Sequence, residues 1–340
     1  MVQDQLGFVA FPIHGKILLL LGDLMRTSGT IHIVFACDDK YAQHAGVAIT
    51  SLREQQRSGS PVQVHLLDGG ISAVNLERLH RLKDGHLDII IYKGNIEEYS
   101  QYLTATYVSK ATYLRLSIEK ILPAEINRVI YCDSDVVFLK PIDELWNIDL
   151  SGHWLAAVPD PPHALNQGHW KDLGIEGGRY FNAGVILIDL NSWRDHHVSE
   201  QVKGYLRSHW DKVLSWDQDG LNAVLYKNWL PLDICWNTFS GPVDKKKLSA
   251  SIIHFASELK PWFYKSLDSF QPEYMKYLHL SPWKDYQFPD KNVCVWIYRK
   301  ILLHTPQRVL KVVFLITWRL RSFIKEFARW INLITMKLKH

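Results

Sequence analysis

From residue 31 onward the chain alternates short apolar runs with stretches of helical periodicity, and this alternation constrains the fold more than any other feature. Ile31–Cys37, Val62–Leu67, Asp88–Tyr92 and Arg128–Cys132 read as strands. Tyr41–Gln56, Leu76–Leu82 and Tyr107–Ile121 read as the helices between them, the last ended by Pro123. Such alternation builds an α/β domain with a doubly wound, mostly parallel sheet, which takes its ligands at the carboxyl ends of its strands. Beyond Trp146 the pattern loosens, and Trp154–Val158, Gly184–Leu190 and Ile252–Phe255 read as further strands. No internal repeat or low-complexity tract interrupts it. With 340 residues and 47% hydrophobic content, the chain can bury a sizeable core.

Two strand ends are acidic. The first opens into Ala36-Cys37-Asp38-Asp39-Lys40, and Arg128–Cys132 opens into Asp133-Ser134-Asp135. Two carboxylates two residues apart at a strand exit can converge on one hard divalent cation, the partner a nucleotide diphosphate needs while a bond to it breaks. Aspartates also close strands because they suit turns, so the triplet alone leaves both readings open.

Charge is unevenly distributed. Residues 291–340 hold eleven Lys and Arg against Glu326 alone, a local net charge of +10 within a total of +4, so the body is mildly acidic. Arg308, Lys311, Leu315, Arg319, Ser322, Glu326 and Arg329 form a mostly polar stripe at helical spacing, while Phe314, Trp318, Phe323, Phe327 and Trp330 fall on the remaining face. A basic amphipathic helix of this kind suits an anionic membrane surface; packing on the body is the alternative. Interleaved tryptophans and long aliphatics fit lipid better than nucleic acid. No segment reaches the ~20 continuous apolar residues of a membrane span. Ile17–Leu21 is too short for a signal-peptide core and reads as a buried helix or extra strand. The four cysteines show no Cys-x-x-Cys pairing, which points to reduced structural thiols and a cytosolic setting.

Six segments then occur in a fixed order: Ile33-Val34-Phe35-Ala36-Cys37-Asp38-Asp39-Lys40-Tyr41, Tyr113-Leu114-Arg115-Leu116, Tyr131-Cys132-Asp133-Ser134-Asp135, Tyr180-Phe181-Asn182-Ala183-Gly184-Val185, Trp216-Asp217-Gln218-Asp219, and Ile253-His254-Phe255 through Lys260-Pro261-Trp262. Together they resemble glycosyltransferase family 8, closest to the bacterial lipopolysaccharide galactosyl- and glucosyltransferases, whose Ser-Pro-Trp-Lys segment is similar to Ser281-Pro282-Trp283-Lys284. The resemblance covers about residues 31–285. It implies a GT-A-type, Rossmann-like catalytic domain over 31–285, which leaves residues 1–30 as an N-terminal extension and the basic amphipathic stretch as a helical tail over 286–340. It further implies UDP-galactose or UDP-glucose as donor, a manganese-type cation with Mg²⁺ also possible, and transfer with retention of anomeric configuration.

By that resemblance Asp133, Asp135 and His254 are the metal ligands, a donor set that suits Mn²⁺ better than Mg²⁺. Lys260 offers a fixed positive charge to the departing phosphates. Arg115 lies in an apolar helix, so it must meet an anion or a carboxylate; a bridge between donor sugar and site and a purely structural salt bridge both satisfy this. Ala36, Asp38, Lys40, Ser134 and Ser257 match nucleotide contacts. Lys40 stands where asparagine is expected and Ser257 where glycine is commoner. Asn182, Ala183, Asp217 and Gln218 match the sugar-binding wall, since carboxylates and amides each hold neighbouring hydroxyls. Gln218 is a poor nucleophile, which favours front-side attack with the leaving phosphate as base; a covalent intermediate on Asp219 is the alternative. Asp160 is the candidate acceptor contact.

The resulting reading is a retaining hexosyltransferase that extends a lipopolysaccharide core on the cytoplasmic face of the inner membrane. Another glycan or protein acceptor is an alternative by the same chemistry. An Asp-x-Asp phosphatase and a catalytically silent sugar-binding protein are alternatives of other classes. The phosphatase reading leaves the other five segments unexplained.

Overall fold

The computed structural model describes residues 29–102, 109–160, 168–242, 249–256 and 260–288. The expectations for Ile17–Leu21, for Ser257 and for the tail helix lie outside the described residues. The chain divides into two compact units, one of residues up to Pro261 with Leu267–Tyr286, the other of Trp262–Ser266 with the residues from Gln287 on. In the second, the Tyr264 and Phe288 rings meet edge to face at 5.8 Å. No helix among the described residues is long and apolar enough to cross a membrane.

In chain order the elements are β1 (Ile31–Cys37), α1 (Ala42–Gln55), β2 (Val62–Asp68), α2 (Ala73–His80), β3 (Leu87–Lys93), β4 (Arg128–Cys132), β5 (Val136–Phe138), β6 (Leu155–Pro159), β7 (Phe181–Asp189), α3 (Val198–Ser208), α4 (Trp216–Leu225), β8 (Trp229–Pro231), β9 (Thr238–Phe239), β10 (Ile252–His254) and α5 (Gln271–Leu280). A seven-stranded sheet runs β3-β2-β1-β4-β7-β6-β8, and a small one runs β5-β10-β9. In the large sheet β1 pairs parallel with β2 and with β4, β2 with β3, and β6 with β8; β7 alone runs against both its neighbours.

The apolar runs follow from this position. β1 is paired on both edges and covered on both faces, and Ile31, Ile33, Val34 and Phe35 are wholly buried, so the strand reads as a continuous hydrophobic run without alternation. One face of the large sheet carries a hydrophobic core cluster, with Val34, Tyr113, Leu116, Val129, Ile186, Trp193 and Leu221 among its members. α1 is buried nearly all round, with contacts to β5, α2 and α5. That environment accounts for its run Ala45-Gly46-Val47-Ala48-Ile49, which lacks a polar face.

β1 and β4 coincide residue for residue with the sequence reading. α2 begins earlier, at Ala73, because Ser72 caps it through Asn75 N. The expected helix over Tyr107–Ile121 is corrected. Its described part is a 3₁₀ helix, Lys110–Ser117, followed by one short α turn, Ile118–Ile121. The tighter winding stacks Arg115 over Thr112, whose carbonyl accepts from Arg115 Nε at 3.2 Å. The two- and three-residue strands β5, β8 and β9 were not expected at all, nor were α3, α4 and α5.

The Ser281-Pro282-Trp283-Lys284 segment has a packing role. Trp283 donates from Nε1 to Asn75 Oδ1 at 3.2 Å, and a Cβ on Gly46 would stand 2.1 Å from its ring. Alanine in a helix interior ordinarily gains about 1 kcal/mol over glycine. Here the clash should outweigh that gain. Gly46→Ala is expected to lose about 1–3 kcal/mol in urea unfolding, with much of it recovered when Trp283→Leu is added. A neutral or stabilising Gly46→Ala would refute this packing account.

Candidate active site

The site sits where strand order reverses. β1 is flanked by β2 on one side and β4 on the other, so their chain paths leave in opposite directions and open a crevice at the carboxyl ends. Register brings the two acidic exits together: Phe35 pairs with Cys132, leaving Ala36-Cys37 beside Asp133-Ser134. Ser134 Oγ donates to Ala36 O at 3.0 Å across the junction. Because β7 runs antiparallel to β4, its first residues, Asn182-Ala183-Gly184, lie at the same end, and Asp133 N donates to Gly184 O at 2.8 Å. β10 pairs antiparallel with β5, setting His254 opposite Val136 and Phe255 N on Asp135 O at 2.9 Å. Four separate stretches of chain thus meet at one point.

Charges are matched there with little solvent. Arg115, 5% exposed, stacks 4.4 Å over the Tyr131 ring and pairs with Asp133 Oδ1 at 2.8 Å and Asp217 Oδ2 at 2.6 Å. It also donates to Ala183 O and to Thr112 Oγ1. Arg115 is thus part of an internal salt bridge that also borders the cleft. Tyr131 OH adds a bond to Asp133 Oδ1 at 3.0 Å. Lys260 Nζ pairs with Asp135 Oδ2 at 2.7 Å and donates to Phe255 O at 2.6 Å. Burial alone would raise the Asp135 carboxyl, but the Lys260 ammonium, with His254, holds it well below the usual carboxylate range. Burial pushes Asp217 up to about 6, with Arg115 opposing the rise and Asp133 adding to it.

The cleft has a volume of about 560 Å³, and Ala36, Arg115, Ser134, Asp160, Asn182, Ala183, Asp217, Gln218 and Lys260 line it with Asp133, Asp135 and His254. That lies within the roughly 300–1,000 Å³ of small-molecule sites. Asp38 and Lys40 stand at its margin, outside the lining: Asp38 Oδ1 accepts from Tyr41 N at 3.1 Å to close the turn, Lys40 is exposed, and Tyr41 borders the cleft instead.

One wall is an amide network. Gln218 Oε1 accepts from Ala183 N at 2.9 Å, and its Nε2 donates to Asp160 Oδ2 at 3.0 Å and Tyr180 OH at 3.1 Å. Asp160 is held above the ordinary carboxylate range by burial, with the Asn182 and Gln218 amides working the other way. Asp219, expected as an alternative nucleophile, is corrected. It is wholly buried and absent from the cleft lining. Its Oδ2 accepts from Leu214 N, Ser215 N and His169 Nε2, and its Oδ1 from Tyr180 OH at 2.6 Å. Spent on four donors, this carboxylate clamps the turn into α4, where Trp216 takes a positive φ of 51°. Tyr131, Tyr180, Thr112 and His169 were not assigned roles from sequence; both tyrosines head segments that were singled out, whereas His169 falls in a stretch with no legible pattern.

Asp133, Asp135 and His254 each offer one ligand atom, and all three atoms lie within 4.8 Å of one another. Two carboxylates and one imidazole fit a divalent cation. Asn182, Ala183, Asp217 and Gln218 border the same cleft.

A family model described as glycosyl transferase family 8 matches residues 32–266. General stress protein A of Bacillus subtilis is 32% identical over 289 residues, 79% of this chain and 100% of the relative. A lipopolysaccharide 1,2-glucosyltransferase of Escherichia coli is 30% identical over 278 residues, 77% of this chain and 81% of that protein. Among solved structures, the galactosyltransferase LgtC in complex with donor and acceptor sugar analogues matches with a TM-score of 0.67 at 25% identity, over 74% of this chain and 96% of that one.

Asp217 carries a pH signature. Its folded pKa of about 6 stands above an unfolded value near 3.9, so its stabilising contribution is full below pH ~4 and is lost as pH rises through ~6. Asp217→Asn removes that loss. The stability of the variant relative to wild type is expected to rise between pH 4 and pH 7 by up to about 2–3 kcal/mol, read from urea midpoints. A pH-independent difference would contradict the raised carboxyl.

Proposed function

Because this chain belongs to glycosyl transferase family 8, we propose that it is a retaining hexosyltransferase that moves galactose or glucose from a UDP-sugar onto the core of a lipopolysaccharide. The convergence of Asp133, Asp135 and His254 within 4.8 Å, at the strand-order reversal, carries the reading. Two of the relatives above, named for lipopolysaccharide glucosyl transfer and for galactosyl transfer, support the substrate class.

In this reading Asp133, Asp135 and His254 hold a divalent cation, Mn²⁺ by preference, which when bound neutralises diphosphate charge. Arg115 keeps Asp133 oriented, and Lys260 does the same for Asp135 while bringing a positive charge to the phosphate side of the cleft. Ala36 and Ser134 border the nucleotide end; Asp38 and Lys40 are proposed contacts at its edge, and Ser257 is a proposed nucleotide contact by the family resemblance alone. Asn182, Ala183, Asp217 and Gln218 hold the sugar. Gln218 is tied at both ends of its amide, and Asp219 is saturated and buried, which supports a front-side route with the leaving phosphate taking the acceptor's proton. Asp160, accepting from two amides beside the sugar wall, is the proposed acceptor contact.

The basic sequence of residues 291–340 supports docking on an anionic membrane surface, and we assign the enzyme to the cytoplasmic face of the inner membrane.

UDP release with UDP-galactose, UDP-glucose and UDP-N-acetylglucosamine, each offered core oligosaccharides of defined length, tests the assignment. Turnover is expected with one of the two simple hexoses and to require acceptor. Asp133→Ala and Asp135→Ala should each lower it by at least about 100-fold without unfolding the protein. EDTA should abolish it, with Mn²⁺ restoring more than Mg²⁺. Undiminished turnover in excess EDTA sinks the cation assignment. Separately, removing residues 300–340 should reduce co-sedimentation with anionic vesicles in a salt-sensitive manner and leave UDP release with soluble core oligosaccharide intact. Sedimentation indifferent to both salt and truncation would rule out docking through this tail.

A further inference from the structure

His254 is the cation ligand whose donor atom is not fixed by its residue type. An imidazole has two nitrogens, and only a deprotonated one can coordinate. The hydrogen-bond chain behind the ring decides which. Gly184 N–H can only donate, so the Asn182 side-chain atom 2.9 Å away is its oxygen. The Asn237 atom 2.8 Å from that same oxygen must then be the Nδ2 amide donor. This leaves Asn237 Oδ1, an acceptor, facing His254 Nδ1 at 2.9 Å, so Nδ1 carries the proton. The remaining nitrogen, Nε2, points its lone pair toward Asp135 Oδ1 at 3.5 Å and Asp133 Oδ2 at 3.7 Å.

Two features keep the chain from slipping. Asn237 is fully buried, so water does not compete for its amide. The ring rests against the bare Cα of Gly184, where a Cβ would lie 2.2 Å from Cε1 and 2.6 Å from Nδ1, so the imidazole edge is seated against β7 itself.

We propose that Asn237 is a positioning residue of the cation site, holding His254 in the Nδ1–H tautomer and turning its bare Nε2 toward the two aspartates. The same chain continues through Asn182 Nδ2 to Asp160 Oδ2 at 3.3 Å, linking the cation ligand to the amide wall. The inference rests on the reading that Asp133, Asp135 and His254 hold a divalent cation. Asn237 touches neither cation nor substrate and acts through the imidazole alone, as outer partners of ligating histidines do.

The test is Mn²⁺ binding to the full chain in the presence of UDP, titrated by electron paramagnetic resonance, with spin-echo modulation reporting ¹⁴N coupling from a coordinated ring. Wild type is expected to bind Mn²⁺ and show the coupling, and His254→Ala to lose the coupling. Asn237→Leu, which removes the acceptor at similar volume, should weaken binding by about 10–100-fold and diminish the coupling. Asn237→Asp keeps an acceptor against Nδ1 but loses the amide donated to Asn182 Oδ1, so its affinity and coupling are expected between those of Asn237→Leu and wild type. Melting curves establish that each variant is folded; if Asn237→Leu is not, Asn237→Ser takes its place, shortening the side chain out of reach. Unchanged affinity and coupling in folded Asn237→Leu or Asn237→Ser overturns the positioning role while the cation reading stands. Wild type that binds no Mn²⁺ overturns both.

Discussion

The site depends on charges placed out of water and made to neutralise one another. Asp133, Asp135 and Asp217 face Arg115 and Lys260, and four of these five side chains are less than a tenth exposed or close to it. Removing one partner of such a buried pair ordinarily costs about 3–5 kcal/mol, because the other charge is left stranded. Arg115 is central because it ties the 3₁₀ turn that carries it to the β4 exit, to the start of α4 and to the Ala183 carbonyl at once. Three carboxylates against two cations leave one negative charge over. A dication therefore has an electrostatic reason to bind beyond its three ligand atoms.

Strand direction does the geometric work. A purely parallel sheet would send β7 away from the cleft at this end. Run antiparallel to β4, it delivers Asn182-Ala183-Gly184 beside Asp133. Its glycine lets a ring approach where any side chain would intrude, and its asparagine anchors the amide that faces that ring. Packing, the candidate cation cluster and the amide wall thus share one short segment.

Legibility in the sequence followed burial. β1 and β4, covered on both faces, were visible residue for residue because a short, unbroken apolar run ending in turn residues is what a doubly covered strand requires. The pairing of Asp133 with His254, separated by about 120 residues, is invisible to periodicity and was reached only through ordered segments resembling a family. Two- and three-residue strands such as β9 and β5 carry too little pattern to register, although β5 holds β10 in place. Asp219 misled for a physical reason: a carboxylate next to Gln218 reads like site chemistry, and nothing local reveals that four donors consume it. Asn237 left no signal beyond its place after Trp236, since its work is done on residues 55 and 17 positions away.

The small sheet has a consequence for biosynthesis. β10 is its central strand, inserted between β5 and β9, and it supplies the imidazole. On a ribosome, β1 through β7 can assemble while β10 is still unmade, but the pocket then lacks its nitrogen donor and the ammonium that counters Asp135. The proposed cation site is complete only once the polypeptide has been extended past residue 260, after most of residues 31–285 have been made.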